Sequence, residues 1–293
     1  MGARQGSERI AVVTGASRGA GKGIALALGE AGATVYVTGR STKQAENVGH
    51  GAALPGTIYQ TAEEITKAGG VGIPVACDHS HDEEVKALFD RIEKKHGYLD
   101  ILVNNAAHVS WDISRAAPFW DRSLDLIDTL NVGVRSTYIA SFYAAKLLIA
   151  SDGGLVANTS GYAGGCYLHG PAYGCAKAAV DKMSYDMGID LKPFNVCSVS
   201  LWMGLLSTER ALTYFESDPA MAQRKAEAES PKFIGRVVDA LHRAPDRMER
   251  SAKVWIATEL GLELGVKEID GSDPVSKRSK FGGPLTYNPA IYY

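Results

Sequence analysis

No stretch of this 293-residue chain approaches the roughly eighteen consecutive apolar residues that a membrane-spanning helix requires. Cysteine is scarce: Cys77, Cys166, Cys175 and Cys197 are the only four, and none has the close paired spacing of a zinc site or a disulfide framework. They read as small buried hydrophobes in a reducing compartment, which makes the cytoplasm the expected location. An excess of one charge is missing too. With 31 Lys and Arg against 33 Asp and Glu, the formal charge of −2 gives no general attraction for nucleic acid or an anionic membrane. The short basic run "SKRSK" reads as a solvated loop. The opening "MGARQGSER" lacks the apolar centre of a secretion signal, and Gly6 and Ser7 do not complete a myristoylation pattern. No metal cluster, internal repeat or low-complexity linker is expected.

What is present is a rhythm. Apolar runs rich in β-branched residues, "RIAVVT" (9–14), "TVYVT" (34–38), "VGIPVAC" (71–77), "ILVNN" (101–105), "LVANT" (155–159), "VCSVSL" (196–201) and "KVWIA" (253–257), alternate with helical periods. Helices are expected at about 21–31, 61–67, 82–95, 119–149 and through Tyr173 to Ile189. Continuous apolar strands separated by helices imply an α/β fold: a doubly wound parallel sheet of about seven strands with helices on both faces, its ligands over the carboxyl ends. Two segments break the rhythm, a polar Gly-rich insertion at 41–57 and a helical lid at about 205–230. The economical reading is one domain over 1–293.

"VVTGASRGAGKGIALAL" runs from the first strand directly into a helix. Gly15, Gly19 and Gly21 permit a tight turn and close backbone approach, leaving the helix amino end facing an anion such as a pyrophosphate. The spacing Gly-x-x-x-Gly-x-Gly resembles the short-chain dehydrogenase/reductase family, whose single-domain Rossmann fold binds a nicotinamide dinucleotide. The resemblance implies cofactor contacts from Gly15, Ser17, Arg18, Gly19, Ala20 and Gly21. It also implies contacts from Asp78 (adenine), the His79 backbone, and Asn105, Ala106 and Ala107 of "NNAA", where Ala107 replaces the usual glycine.

The second strand ends "VYVTGRST", with Gly39 and Arg40 where NAD sites carry a carboxylate. A carboxylate would repel a ribose 2′-phosphate, whereas a guanidinium grips it through paired hydrogen bonds. Arg40, with Ser41 and with Arg18 from the other side, predicts NADP(H).

The family's chemistry needs an Asn, a Ser, a Tyr and a Lys, and the resemblance places these at Asn131, Ser160, Tyr173 and Lys177. Tyr173 and Lys177 stand four apart in "PAYGCAKAAV", on one helix face. A free phenol, with a pKa of about 10, is a reluctant donor at neutral pH, and a neighbouring ammonium favours the phenolate. Ser160 would hydrogen-bond the carbonyl oxygen as charge develops. By resemblance, Lys177 also binds the nicotinamide ribose and Asn131 holds a relay water. "SLWMGLLSTE" matches the family's Pro-Gly-x-x-x-Thr stretch at Gly204 and Thr208, but Met203 replaces proline.

Several segments, among them "GATVYVTGR" and "LNVGVRS", are similar to a branch of the family associated with NADPH-dependent reduction of steroid-like and other carbonyls. His108, Val109, Trp111, Tyr162 and Tyr167 are the expected pocket wall, suiting a bulky apolar ketone or aldehyde. Two alternatives are a 3-oxoacyl-thioester reductase and a non-catalytic NADP(H) sensor. The resemblance implies a homodimer or homotetramer, with a small-molecule carbonyl or alcohol as substrate.

Overall fold

The structure is a computed structural model that describes residues 8–43, 48–49, 52–217 and 222–291. Its centre is a seven-stranded parallel sheet: β1 (Ile10–Val13), β2 (Thr34–Gly39), β3 (Val71–Ala76), β4 (Ile101–Asn104), β5 (Leu155–Gly161), β6 (Cys197–Met203) and β7 (Lys253–Ile256). The spatial order is β3-β2-β1-β4-β5-β6-β7. The chain thus reverses direction across the sheet between β1 and β4, where doubly wound sheets open a crevice at their carboxyl edge. Pro74 lies within β3, a position tolerated because β3 is an edge strand paired only with β2.

Alternation along the strands divides the core. Ala11, Val13, Val35, Val37, Ile101 and Val103 point to one face. There they meet α1 (Gly19–Glu30), α2 (Ile58–Lys67), α7 (Pro231–Arg243) and α8 (Ala257–Glu263). Ile10, Val12, Tyr36, Leu102 and Val156 point to the other, under α3 (Asp82–His96) and α4 (Ser136–Ala150). Also on that side, α5 (Pro171–Leu191) covers a polar strip rather than an apolar one. Asn104 donates to Ser141 Oγ at 2.9 Å and Asn158 Oδ1 at 2.8 Å, and Asn158 donates to Ser184 Oγ at 2.8 Å. These bonds tie β4 and β5 to α4 and α5, fixing the helix that carries Tyr173 and Lys177.

Three local expectations change. The helix expected at 61–67 begins at Ile58, because Thr57 and Gln60 form a reciprocal capping box. The helix expected over 119–149 is broken into 3₁₀ turns at Phe119–Asp121 and Leu124–Thr129, a kinked segment at Leu130–Arg135, and α4. Sequence reading also passed over α7, although Ser230 caps it, Pro231 opens it, and Phe233, Ile234, Val237, Val238 and Leu241 bury one stripe. Its Gly235 lets it lie against α1, since a Cβ there would come within 2.7 Å of Ala27 Cβ.

In the 41–57 insertion, Val48–Gly49 pairs antiparallel with Ala52–Ala53. In the expected lid, α6 (Glu209–Ser217) is followed by a short helix at Ala222–Ala226. Residues 44–47, 50–51 and 218–221 lie outside the described residues.

Candidate active site

The crevice is lined by the ends of β1, β4, β5 and β6. After β1, Gly15 and Gly19 take the left-handed backbone angles φ 64° and 60°, which favour glycine. Gly21 is required for closeness: a Cβ there would fall 2.4 Å from Gly15 O and 2.5 Å from Asn105 Nδ2. The turn is braced from β4. Asn105 Nδ2 donates to Thr14 O at 3.0 Å, while Thr14 Oγ1 accepts the amides of Asn105 (2.8 Å) and Ala106 (2.9 Å). Asn105 and Ala106 therefore shape the turn from behind, and Thr14 is a brace that sequence reading missed.

At the amino end of α1, Arg18 is the N-cap residue but makes no side-chain cap. The Gly19 amide instead donates to Glu209 Oε2 at 2.7 Å. An anion therefore already sits where the glycine turn was expected to receive one. This carboxylate is the test of fit: the donor holds a negatively charged oxygen, as it would a pyrophosphate oxygen.

Arg18 turns its guanidinium to Pro55 O (3.0 Å), Gly56 O (2.8 Å) and Ser41 Oγ (3.1 Å). Its partial burial, ahead of repulsion from Arg210 and Arg40, lowers its pKa, with Glu209 opposing. Arg40 is 72% exposed and lies 3.8 Å from Asp78 Oδ2. Asp78 accepts Ser80 N at 2.9 Å and Ser80 Oγ at 2.8 Å; burial opposes its ionisation, but these bonds and Arg40 hold the carboxyl below its ordinary value. This is an Asx turn that precedes the helix, since α3 starts after His81. The His79 ring is buried against Thr38 Oγ1 at 2.8 Å, and burial pushes its pKa down to about 4.

Across the crevice, Ser160 is buried near the end of β5, and its hydroxyl donates to Lys177 O at 3.3 Å. Lys177 is also buried; its Nζ donates to Thr159 O at 3.3 Å and lies 5.4 Å from the Tyr173 ring centre. Ser160 is thus joined to Lys177 through the backbone carbonyl, and the Lys177 ammonium lies beside the Tyr173 ring. Beside them lies a cavity of about 10 Å³, near the size that admits one water, lined by Asn104, Thr129, Gly133, Thr137, Thr159 and Lys177 among others. Asn131 does not line it. Its side chain is exposed and its carbonyl accepts the Ser136 amide across the kink formed by Val132 and Gly133 (φ 153°).

The floor is a buried acid absent from the sequence reading. Asp181, one helical turn beyond Lys177, accepts Ser200 Oγ at 2.6 Å and Trp202 Nε1 at 2.8 Å. Burial raises its pKa, opposed by the hydrogen bonds from Ser200 and Trp202 and by the nearby Lys177 charge. Its signal in the sequence was a carboxylate four residues after the lysine on an otherwise apolar helix stretch.

The model of the short chain dehydrogenase family matches residues 9–218. The chain belongs to that family. Dehydrogenase/reductase SDR family member 1 of Mus musculus is 38% identical over 290 residues, covering 95% of this chain and 88% of its own length. A short chain dehydrogenase of Mycobacterium thermoresistibile has the same fold, with TM-score 0.73, 24% identity and 91% of each chain covered. A metagenomic short-chain oxidoreductase solved in complex with NADP gives TM-score 0.64 at 26% identity, covering 85% of this chain and 95% of that one. Family membership makes this protein an oxidoreductase that uses a nicotinamide cofactor.

Other expected positions separate. Gly204 N donates to Glu229 Oε2 at 3.3 Å, and Thr208 Oγ1 accepts Ala211 N at 3.2 Å at the start of α6. Met203 packs partly buried against the core. Arg210 stacks on Trp111 at 4.3 Å and donates to Val109 O at 2.8 Å, joining the lid to the loop after β4. His108 lies 3.4 Å from Asp125. Tyr162 is withdrawn from the expected wall: it is buried, with ring centres 5.4 Å from Trp202 and 5.2 Å from Phe281. Cys77 and Cys197 are buried thiols, whereas Cys175 is exposed on α5. Among the described residues no helix is long and apolar enough to cross a membrane, and no group of metal-ligating side chains occurs.

Proposed function

We propose that this protein is an NADP(H)-dependent oxidoreductase acting between a carbonyl and its secondary alcohol, working as a reductase of bulky, largely apolar ketones or aldehydes. The observation that supports the reading is the arrangement at the end of β5, where Ser160 bonds the backbone of Lys177 and the buried Lys177 ammonium lies beside the Tyr173 ring. When bound, the cofactor supplies or accepts the hydride. The Tyr173 phenol gives its proton to the oxygen as negative charge develops, and the Lys177 ammonium beside the ring favours that transfer. Ser160 exchanges its long 3.3 Å bond to Lys177 O for one to the substrate oxygen. A water in the small cavity returns a proton to Lys177, held by threonine hydroxyls rather than by Asn131.

Gly15 to Gly21 and Asn105 to Ala107 would hold the dinucleotide, with Arg18, Arg40 and Ser41 at its 2′-phosphate. Asp78, His79, Gly204 and Thr208 would complete the contacts. Exposed Val109, Leu205 and Tyr167 support an apolar substrate wall. On this reading residues 1–293 act as one cytoplasmic domain with a lid, and exposed Tyr138 and Phe142 on α4 support self-association.

The test is a carbonyl panel of ketosteroids, quinones, dicarbonyls and acyl-thioesters, each offered with NADPH and with NADH. Turnover of apolar ketones with NADPH is expected. Tight NADPH binding with no turnover of any carbonyl would overturn the reductase.

A further inference from the structure

The geometry points to the backbone of Pro55 and Gly56 as a specificity clamp. It holds the Arg18 guanidinium in place before ligand arrives and so favours a dinucleotide that carries a ribose 2′-phosphate. The inference rests on the NADP(H) reading above and assigns a purpose to the end of the 41–57 insertion.

The two cations facing this corner are held differently. Arg40 is 72% exposed, with Asp78 at 3.8 Å. Arg18 is fixed through two of its three nitrogens, Nε to Pro55 O and Nη2 to Gly56 O and Ser41 Oγ, at 2.8 to 3.1 Å. A carboxylate in the same place would orient the guanidinium but cancel its charge. Neutral carbonyl oxygens orient it and leave the charge for the ligand. A long side chain that is already ordered also loses less rotamer freedom when it binds.

The clamp is itself anchored. Gly56 has φ 108°, and a Cβ there would lie 2.4 Å from Ser17 O and 3.2 Å from Arg18 Cβ, so its backbone rests directly on the glycine turn. Immediately after it, Thr57 and Gln60 cap α2 reciprocally, Ile58 N donates to Ser41 O at 3.1 Å, and Thr61 Oγ1 reaches Ser17 O at 3.5 Å. Helix α2, the end of β2 and the glycine turn therefore hold one another through this segment. Only glycine combines that positive φ with that closeness.

The experiment is calorimetric titration of the cofactor-free protein with NADPH and with NADH, for wild type, Arg18→Ala, Gly56→Ala, Pro55→Gly and the Arg18→Ala/Gly56→Ala double variant. Arg18→Ala should weaken NADPH about a hundredfold and NADH little, as for loss of a charge-assisted pair. Gly56→Ala presses on the glycine turn and so should weaken both dinucleotides, NADPH about tenfold more than NADH, with no further loss of that preference once Arg18 is gone. Pro55→Gly loosens the segment without adding volume and should act in the same direction by about threefold, which keeps the test alive if Gly56→Ala does not fold. Equal weakening of both dinucleotides, a Gly56 effect on the preference that persists without Arg18, or tighter NADPH binding would overturn the clamp. If Arg18→Ala removes the preference while Gly56→Ala and Pro55→Gly keep it, the clamp alone falls. If wild type does not prefer NADPH, the cofactor reading falls and takes the clamp with it.

Discussion

The Glu209 carboxylate accepts the backbone N–H of Gly19 at 2.7 Å, so the first residue of α6 caps the amino end of α1 from 190 positions away. The same amide belongs to the turn that would receive a dinucleotide pyrophosphate. A carboxylate and a pyrophosphate cannot share that donor without strong like-charge repulsion, so on the reading proposed above Glu209 would have to give way to the dinucleotide.

Glu209→Gln should therefore tighten NADP(H) binding. Removing a negative charge next to the phosphate site should improve affinity about three- to tenfold, read by titration at low and at physiological salt. The gain should shrink as salt rises. Unchanged or weaker binding would mean that Glu209 helps assemble the site rather than competing for it.

Tyr173→Phe keeps the ring and its edge-on packing with His169, whose centre lies 5.4 Å away, while removing the only proton the phenol can offer. Turnover should fall by about 10²- to 10⁴-fold, with dinucleotide affinity unchanged within about threefold. A variant with near-normal kcat and bound cofactor would remove Tyr173 from the role of acid.

How much of this was legible depends on the range of the interaction. The strands followed from continuous apolar runs, and Gly15, Gly19 and Gly21 from their place between a strand and a helix, because both signals are local. The Tyr173–Lys177 pair was legible for the same reason. Glu209 was not, and Asp181 left only the trace of a carboxylate one turn beyond Lys177, because their partners, Gly19, Ser200 and Trp202, lie far off in the sequence. Asn131 was placed inside a long helix, but Val132 and Gly133 leave helical angles just after it and its side chain is exposed, a local break that helical periodicity does not report. Tyr162 was assigned to the pocket on residue type, and Trp202 and Phe281 claimed it for the core.

Asp181→Ala should cost about 2 to 4 kcal/mol of stability, measured by denaturant unfolding. The side chain is only 3% exposed, so its removal strands the Ser200 hydroxyl and the Trp202 indole N–H away from water. Asp181→Asn keeps the volume and one acceptor oxygen but turns a donor toward either Ser200 or Trp202, and should recover only part of the loss. A variant within about 0.5 kcal/mol of wild type would show that solvent or a rearranged neighbour satisfies both groups.

Glu229 offers a pH test. Its backbone joins the two ends of the lid, donating to Leu205 O at 2.8 Å and accepting Ser207 N at 3.0 Å, while its carboxyl is buried beside Gly204. Burial, reinforced by Glu268 and opposed by the Gly204 amide and Lys277, pushes its pKa from 4.5 up to about 7. The folded protein therefore takes up this proton below about pH 7, and the unfolded chain only below about 4.5. The carboxyl's favourable contribution is fully present below about pH 4.5 and is lost as pH rises through about 7. Glutamine resembles the protonated form at every pH. Glu229→Gln and wild type should thus have similar stability at pH 4.5, and by pH 8 the variant should be the more stable by on the order of 3 kcal/mol. Taking the difference between the two proteins at each pH cancels the other titrating groups. Parallel stability curves across that range would place a charged Glu229 in contact with water or with Lys277, and the lid would then have no pH-sensitive join at this residue.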